Sequence, residues 1–275
     1  VELRDPDSVY PIFRSESKEN LARLLGHEDN VHLHNLVVNL NPGKEAAFRA
    51  EHEAKHAENY RINSFHLGEG SPKQKFRANM DAIYTLKTLE NQHRDATPEE
   101  QETLANYVGW GGLADAFDAE KTAWTGEFKE LKAALTEEEY AAARASTLNA
   151  HYTSPTVIRA IYEALDDMGF EKGNILEPSM GVGNFFGMLP DSMLGSRLYG
   201  VELDSITGRI AQKLYPQAEI KVAGFETTDR RDFYDLAVGN VPFGNYRVSD
   251  KPYDKLGFSI HNYFFAKALD QVRPG

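Results

Sequence analysis

The residues best suited to chemistry begin in a glycine-rich stretch at 175–186, ILEPSMGVGNFF. It predicts a buried strand with Glu177 at its carboxyl end, followed by a turn in which Gly181 and Gly183 let the backbone approach a ligand. A second apolar run ends at Glu202, 21 residues after Gly181. This spacing is typical of the carboxylate that meets ribose hydroxyls in nucleotide-binding βαβ units. A phenylalanine takes the place of the third small residue of a dinucleotide motif, which disfavours NAD and FAD.

Hydrophobic periodicity predicts that strands and helices alternate around this stretch. The predicted strands that follow are 198–202, 219–222 and 233–238, and a last helix is predicted at 261–272. Ahead of the first strand, a helix ending at Gly169 is expected to pack through Val157, Ile158, Ile161, Leu165 and Met168. The helix after the second strand is expected to pack through Ile206, Ile210 and Leu214. This alternation predicts an α/β fold with a right-handed, mostly parallel sheet.

Residues 76–148 are predicted to be a small helical region. Capping boxes at 97–100 and 136–139 each mark the start of a helix. Between them, residues 107–112 (YVGWGG) place three glycines around a tryptophan. The favoured interpretation is a tight turn with a core tryptophan, and the alternative is a loop that contacts a ligand or a base. The apolar face of the first helix is expected to carry Phe76, Ile83, Leu86 and Leu89.

Residues 1–75 are predicted to be an N-terminal extension of uncertain structure, with a strand at 31–40. The polar helical run after that strand contains HEAKH at 52–56, a formal match to the zinc-protease pattern H-E-x-x-H. Its charged neighbours favour a solvated helix face, and a zinc site needs a sheltered helix and a third ligand. No metal site is therefore predicted.

Composition narrows the classes of protein that this chain can represent. With 41% hydrophobic residues among 275, the chain can form a core, and its lack of cysteine excludes disulfides and thiolate chemistry. Neither a membrane-length apolar run nor a signal peptide is present, so a cytoplasmic protein without a membrane partner is expected. Because the net charge is −12, the cations that would contact the phosphates of a nucleic acid must lie in a local patch or outside this chain.

Several motifs together resemble a known family. The pattern E-x-x-x-G-x-G at 177–183, Glu202 and the tetrapeptide NVPF at 240–243 are similar to the S-adenosylmethionine-dependent amino methyltransferases. YTSP at 152–155 is similar to the motif that precedes the first strand in adenine-N6 DNA methyltransferases. The motifs YVGWGGL, LEPSMGVGNFFG, YGVELD, GNVPFG and HNYFFAKALDQVRPG resemble the methylase region of large SNF2-type methylase–helicase proteins of bacterial conjugative elements and phages. The resemblance runs from about residue 60 to 275.

This resemblance implies a Rossmann-like class I methyltransferase core at 149–275, with S-adenosylmethionine as cofactor and DNA as substrate. The implied role is modification of DNA or protection from restriction, in the bacterial cytoplasm. Tyr152 and Thr153 would hold the methionine end of the cofactor, Glu202 the ribose hydroxyls, and Phe225 and Glu226 the adenine. A core aromatic is the alternative for Phe225. The full set of implied cofactor-binding residues is Tyr152, Thr153, Glu177, Gly181, Gly183, Glu202, Phe225 and Glu226.

The implied catalytic residues are the four of the tetrapeptide, Asn240, Val241, Pro242 and Phe243. The exocyclic amine of adenine is a poor nucleophile because its lone pair is delocalised into the ring. The Asn240 side-chain oxygen and the Val241 carbonyl could accept its hydrogens and favour a pyramidal nitrogen. Phe243 would stack on a base turned out of the duplex. Val241 replaces the proline usual in the family, but Pro242 keeps it extended.

Other functions fit part of the pattern. The same tetrapeptide serves methylation of protein glutamine or of RNA, and a non-catalytic module that binds DNA or a helicase domain could retain a relic cofactor pocket. The intact Asn240, Pro242, Phe243 and Glu202 disfavour a relic.

The resemblance also implies that a fifth strand should follow the helix at 261–272, so the core is expected to be truncated before that strand. The strand at 233–238 would then be an unpaired edge of the sheet. We expect this edge to be covered by the N-terminal region or by a second copy of the chain. We expect the partners to include the missing C-terminal methylase and helicase segments. We also expect the 275 residues alone to show little or no sequence-specific DNA methylation.

Overall fold

A computed structural model describes residues 2–4, 11–14, 57–62, 68–147, 153–244 and 246–274. The predicted strand at 31–40, the HEAKH motif and Tyr152 lie outside these residues. The chain divides into two compact units, Val1–His56 and Ala57–Gly275. In the first unit, β1 (Glu2–Arg4) pairs antiparallel with β2 (Pro11–Arg14). Within the described ranges, no helix combines the length and the apolar character that crossing a bilayer requires.

Among the described residues, the second unit begins with four helices, three of which start at a capping box. Ser71 and Gln74 form a capping box ahead of Pro72, so the first helix begins four residues before the predicted position. The capping boxes predicted at 97–100 and 136–139 are both confirmed. The four helices are α1 (Pro72–Asn91), α2 (Pro98–Ala105), α3 (Thr125–Ala134) and α4 (Glu137–Ser146).

The YVGWGG segment is a turn in the core of this helical layer. Trp110 is 1% exposed, and its ring packs edge-on against Phe117 with centroids 5.3 Å apart. The buried Asn79 side chain fixes the turn: it donates to the Gly109 carbonyl at 2.6 Å and accepts from the Val108 amide at 2.8 Å. The favoured interpretation, a tight turn with a core tryptophan, is confirmed.

The helix ahead of the sheet, α5 (Pro155–Asp167), differs from its predicted packing. Ile158 is buried as expected, but Val157 is 49% and Met168 80% exposed. The prediction was wrong for these two residues, because Tyr162, one turn after Ile158, takes the centre of the packed face and donates its hydroxyl to the Phe185 carbonyl at 2.8 Å. Gly169, with φ of 83°, ends the helix as predicted.

The remainder of the unit is a mixed α/β arrangement around a parallel sheet of four strands, which lie side by side in the order 219–222, 197–202, 174–177 and 236–237. The α/β prediction is confirmed. The packing residues predicted for the helix after the second strand, Ile206, Ile210 and Leu214, are all buried. The elements are β3 (Asn174–Glu177), α6 (Asn184–Gly187), β4 (Arg197–Glu202), α7 (Ser205–Leu214), β5 (Glu219–Val222), β6 (Leu236–Ala237) and α8 (Ile260–Gln271).

β6 is shorter than the strand predicted at 233–238. The amides of Phe233 and Tyr234 both donate to the Gln271 carbonyl at the end of α8, so they do not join the ladder with β3. Tyr234 instead forms a parallel bridge with Val272. The segment just after α8 therefore lies beside the start of β6, on the side away from β3. Coverage of the rest of this edge by the N-terminal region or by a second copy of the chain stays a prediction, as do partners in further methylase or helicase segments.

A charged cluster joins the helical layer to the sheet. Arg209 of α7 lies 2.8 Å from Glu90 of α1 and 3.0 Å from Glu139 of α4. Lys87 reaches Glu139 as well, at 2.9 Å. Because Glu139 is only 8% exposed, it needs these cations to remain charged. The helical layer thus packs directly on the helix that follows β4, at the side of the site described next.

Candidate functional site

The glycine turn after β3 is tied to the end of β4. The Gly181 amide donates to Oε2 of Glu202 at 2.8 Å, and the Met180 amide donates to the Val201 carbonyl at 3.0 Å. Gly181 has φ of 57° and is half-buried, so its backbone can reach a ligand without a side chain intervening. The turn and the acidic residue, 21 positions apart, therefore form one structural feature at the carboxyl edge of the sheet.

Gly183 serves packing. Its φ is 85°, and a Cβ built on it would lie 2.5 Å from the Tyr215 ring and 2.9 Å from Cε of Met180. The residue is buried beneath these side chains. Its conformation and its lack of a side chain are thus both needed for the turn to close over α7, and a direct approach of Gly183 to cofactor stays a prediction.

The Glu202 carboxylate is half-buried and already organised by backbone donors. Oε2 accepts from Gly181, and Oε1 accepts from the Asp204 amide at 2.8 Å. Burial raises the pKa of Glu202 to about 7, and the nearby Asp204 charge adds to this, while the backbone hydrogen bonds oppose it. Each oxygen retains a lone pair, so the carboxylate can accept two further hydrogen bonds, as a ribose diol would offer.

Glu177 is a buried acid between the glycine turn and the tetrapeptide loop. Burial, followed by the charge of Glu202, raises the pKa of Glu177 well above its usual range. Its Oε2 has no hydrogen-bond partner among the described residues. A Cβ built on Gly239 would lie 3.3 Å from Cγ of Glu177. An unsatisfied polar atom at this depth fits a site that receives a polar ligand.

The tetrapeptide follows β6 at the same edge of the sheet. Asn240, Val241 and Pro242 are half-buried, whereas Phe243 is 64% exposed. Val241 packs against the apolar cluster that includes Leu176. The Asn240 side chain forms no hydrogen bond with the residues that the structure describes, so its amide oxygen can accept from a ligand. The loop is thus anchored through Val241, while the Asn240 amide is free to bind and the Phe243 ring is exposed.

The residues predicted to bind adenine or methionine are placed as follows. Phe225 is a core aromatic, 5.0 Å from the ring of Phe264, which agrees with the alternative interpretation. Glu226 is exposed, and Thr153 is half-buried just ahead of Ser154, the N-cap of α5. Contacts of these three residues with a cofactor stay predictions, as does the role of Tyr152.

The structure adds residues that the sequence analysis did not single out. Asp204 caps α7, because its Oδ1 accepts from both the Thr207 amide at 2.8 Å and the Thr207 hydroxyl at 2.5 Å. Tyr107 of the YVGWGG turn is buried near Asp204, and its pKa is raised by burial and by that charge. An Asp three residues before a Thr after a strand is a recognisable cap signal, whereas the approach of Tyr107 is purely tertiary.

Across the described residues, no cluster of three or more His, Asp or Glu side chains could hold a metal ion. The polar groups at the sheet edge are carboxyls, an amide and backbone N–H groups. The carboxyl and amide oxygens can accept hydrogen bonds from hydroxyl, amine and ammonium groups, which fits an S-adenosylmethionine molecule with its ribose diol and amino group.

Comparison with known proteins gives two curated relatives and a structural neighbour. No protein-family model matches the chain. It is 28% identical over 214 residues, 76% of the chain, to Defense against restriction protein B of Escherichia phage P1. It is 35% identical over 92 residues, 34% of the chain, to Type II methyltransferase M.CvrRI of Paramecium bursaria Chlorella virus XZ-6E. The chain spans 8% and 24% of the lengths of these two relatives.

A solved structure from Listeria monocytogenes, assigned to the class I S-adenosylmethionine-dependent methyltransferases, aligns with a TM-score of 0.37 and 13% identity. The alignment covers 72% of this chain and 71% of that one. A score of this size does not bear on function.

Proposed function

We propose that this chain binds S-adenosylmethionine at the carboxyl edge of its sheet and directs methyl transfer to the exocyclic amine of adenine in DNA, in the bacterial cytoplasm. The observation that carries the proposal is the hydrogen bond from the Gly181 amide to Glu202, beside a tetrapeptide loop with an unengaged Asn240. The similarity to a phage protein named for defense against restriction and to a type II methyltransferase supports it.

The proposed binding roles follow from the polar groups at this edge. Glu202 accepts hydrogen bonds from the ribose hydroxyls, and the Gly181 backbone allows the cofactor to lie close to the turn. Glu177 offers the unpaired Oε2 to an ammonium or hydroxyl donor. When bound, S-adenosylmethionine supplies a methyl group made electrophilic by the attached sulfonium.

The acceptor roles belong to the tetrapeptide. The Asn240 oxygen and the Val241 carbonyl accept the two amine hydrogens, which turns the nitrogen lone pair out of conjugation and toward the methyl group. The exposed Phe243 ring stacks on the base that has left its duplex. No strong base is needed, since the protonated amine formed on transfer can lose its proton to water.

Methylation of a protein glutamine or of RNA by the same loop is the second candidate. It is supported by the same tetrapeptide, because a planar amide presents two hydrogens to the same two acceptors. The similarity to a type II methyltransferase favours DNA.

The test is to offer labelled cofactor with genomic DNA, RNA and a protein extract in parallel, using enzyme in excess so that slow or non-specific transfer is detected. We expect label in DNA as N6-methyladenine, lost in Asn240→Ala, with cofactor affinity nearly unchanged in that variant. Label confined to RNA or protein would overturn the DNA assignment. Retained DNA labelling in Asn240→Ala would overturn the role of that side chain.

A further inference from the structure

The segment that follows the tetrapeptide, which we call loop 246–257, presents three cations and one aromatic ring, that of Tyr246, to solvent. Arg247, Lys251 and Lys255 are exposed and form no ion pair with any described residue. Tyr246 is 46% exposed and stands three residues after Phe243. These exposed groups have no part in the core. They directly follow the tetrapeptide at the carboxyl edge of the sheet.

The acids of the loop do not cancel these cations. Asp250 points inward, where its Oδ2 lies 2.6 Å from Nζ of Lys267 and accepts from the Tyr263 hydroxyl at 2.7 Å. Asp254 is exposed, but one of its oxygens accepts from the Asp250 amide at 2.7 Å. The outward face therefore carries three cations against one acid, on a chain whose net charge is −12.

The loop is held in place by a buried ion pair. Lys267 of α8 is 3% exposed and also donates to the Glu226 carbonyl at 3.2 Å. Tyr253 is buried beside Tyr263, with ring centroids 5.5 Å apart, and donates to Oδ2 of Asp270 at 2.7 Å. Because these contacts fix the backbone, the outward side chains can bind a ligand with a reduced cost in conformational entropy.

We propose that loop 246–257 binds the phosphates on either side of the target base, with Tyr246 stacked on a neighbouring base. This rests on the proposed function, because it makes the loop a DNA-binding surface of that same site. Unpaired cations beside the exposed Tyr246 ring suit a single strand, since phosphates pair with the cations and a base stacks on the ring. An acidic peptide would use the cations and leave the Tyr246 ring without a partner.

The test compares two triple variants of the 275-residue chain that remove equal charge. The first is Arg247→Gln, Lys251→Gln and Lys255→Gln. The control is Lys129→Gln, Lys172→Gln and Arg197→Gln, which changes exposed cations outside the loop that form no ion pair among the described residues. Binding of a labelled single-stranded DNA oligonucleotide is measured by fluorescence anisotropy over a range of salt concentrations, with RNA and polyglutamate as competitors.

We expect the slope of log K against log salt to shrink by about 2 in the loop variant, because each phosphate contact contributes about 0.7 for single strands. The control should keep the wild-type slope. Tyr246→Ala should weaken binding at least about fivefold, whereas Tyr246→Phe should not. Equal slopes in the two triple variants, or better binding of RNA or polyglutamate than of DNA, would overturn the proposal.

Calorimetry with S-adenosylmethionine and the labelled-transfer assay on the same variants separate this inference from the proposed function. If DNA binding depends on the loop but calorimetry detects no binding of S-adenosylmethionine, the proposed function fails and the loop assignment stands. If DNA is methylated equally by the wild type and the loop variant, the loop assignment fails alone.

Discussion

Glu202→Gln should change how the stability of the protein depends on pH. Burial places the pKa of Glu202 at about 7, compared with 4.5 for an unperturbed glutamate. Between these values the folded state holds a proton that the unfolded state has released. The free energy of unfolding therefore falls as the pH rises through this window, by about 1.4 kcal/mol per unit and about 3 kcal/mol in total.

In Glu202→Gln this contribution to the pH dependence is absent. The substitution also costs about 1–3 kcal/mol at every pH, because an amide NH₂ must face one of the backbone donors, Gly181 or Asp204. That cost lowers the free energy of unfolding by the same amount at every pH, so the slope of the free energy against pH is unaffected. The slope therefore isolates the titration of Glu202 from the loss of a hydrogen bond.

The measurement is urea unfolding without cofactor at several values between about pH 5 and about pH 8. Wild type should lose about 2.5 kcal/mol more than Glu202→Gln over this range. The matched control, Glu171→Gln, alters an exposed glutamate and should follow the wild-type slope. Parallel profiles for the wild type and Glu202→Gln would refute the reasoning.

Two further substitutions test the packing around the site, each by chemical unfolding. Gly183→Ala should destabilise the protein by about 1–3 kcal/mol, because its Cβ would overlap the Tyr215 ring, whereas Gly126→Ala in α3, with open space around it, should stabilise by up to about 1 kcal/mol. A cost at Gly126 equal to that at Gly183 would contradict this. Lys267→Met should cost about 3–5 kcal/mol by leaving the Asp250 carboxylate buried without its cation, and an effect near zero would show that the pair does not anchor loop 246–257.

The elements that local patterns specify could be predicted from the sequence. Periodicity identified the buried face of α7, and residues 219–222 form a strand as predicted. Capping boxes gave two helix starts, and the overlooked Ser71–Gln74 box explains why α1 begins earlier than predicted. Each of these signals lies within a few residues of the feature that it specifies.

What could not be predicted depends on contacts between distant residues. Val157 and Met168 fit an apolar stripe, but the position of the sheet decides that Tyr162 is buried in their place. Glycines commonly mark a ligand turn, yet the crowding at Gly183 comes from Tyr215. The buried pair between Asp250 and Lys267 likewise joins a loop to a helix, and no spacing in the sequence indicates it.

The most direct test of the account is calorimetric titration of the 275-residue chain with S-adenosylmethionine or its demethylated product. We expect one saturable site per chain in wild type, much weaker binding in Glu202→Ala, and wild-type binding in the exposed control Glu171→Gln. Absence of heat in the wild type, or wild-type affinity in Glu202→Ala, would contradict the assignment of this sheet edge as a cofactor site.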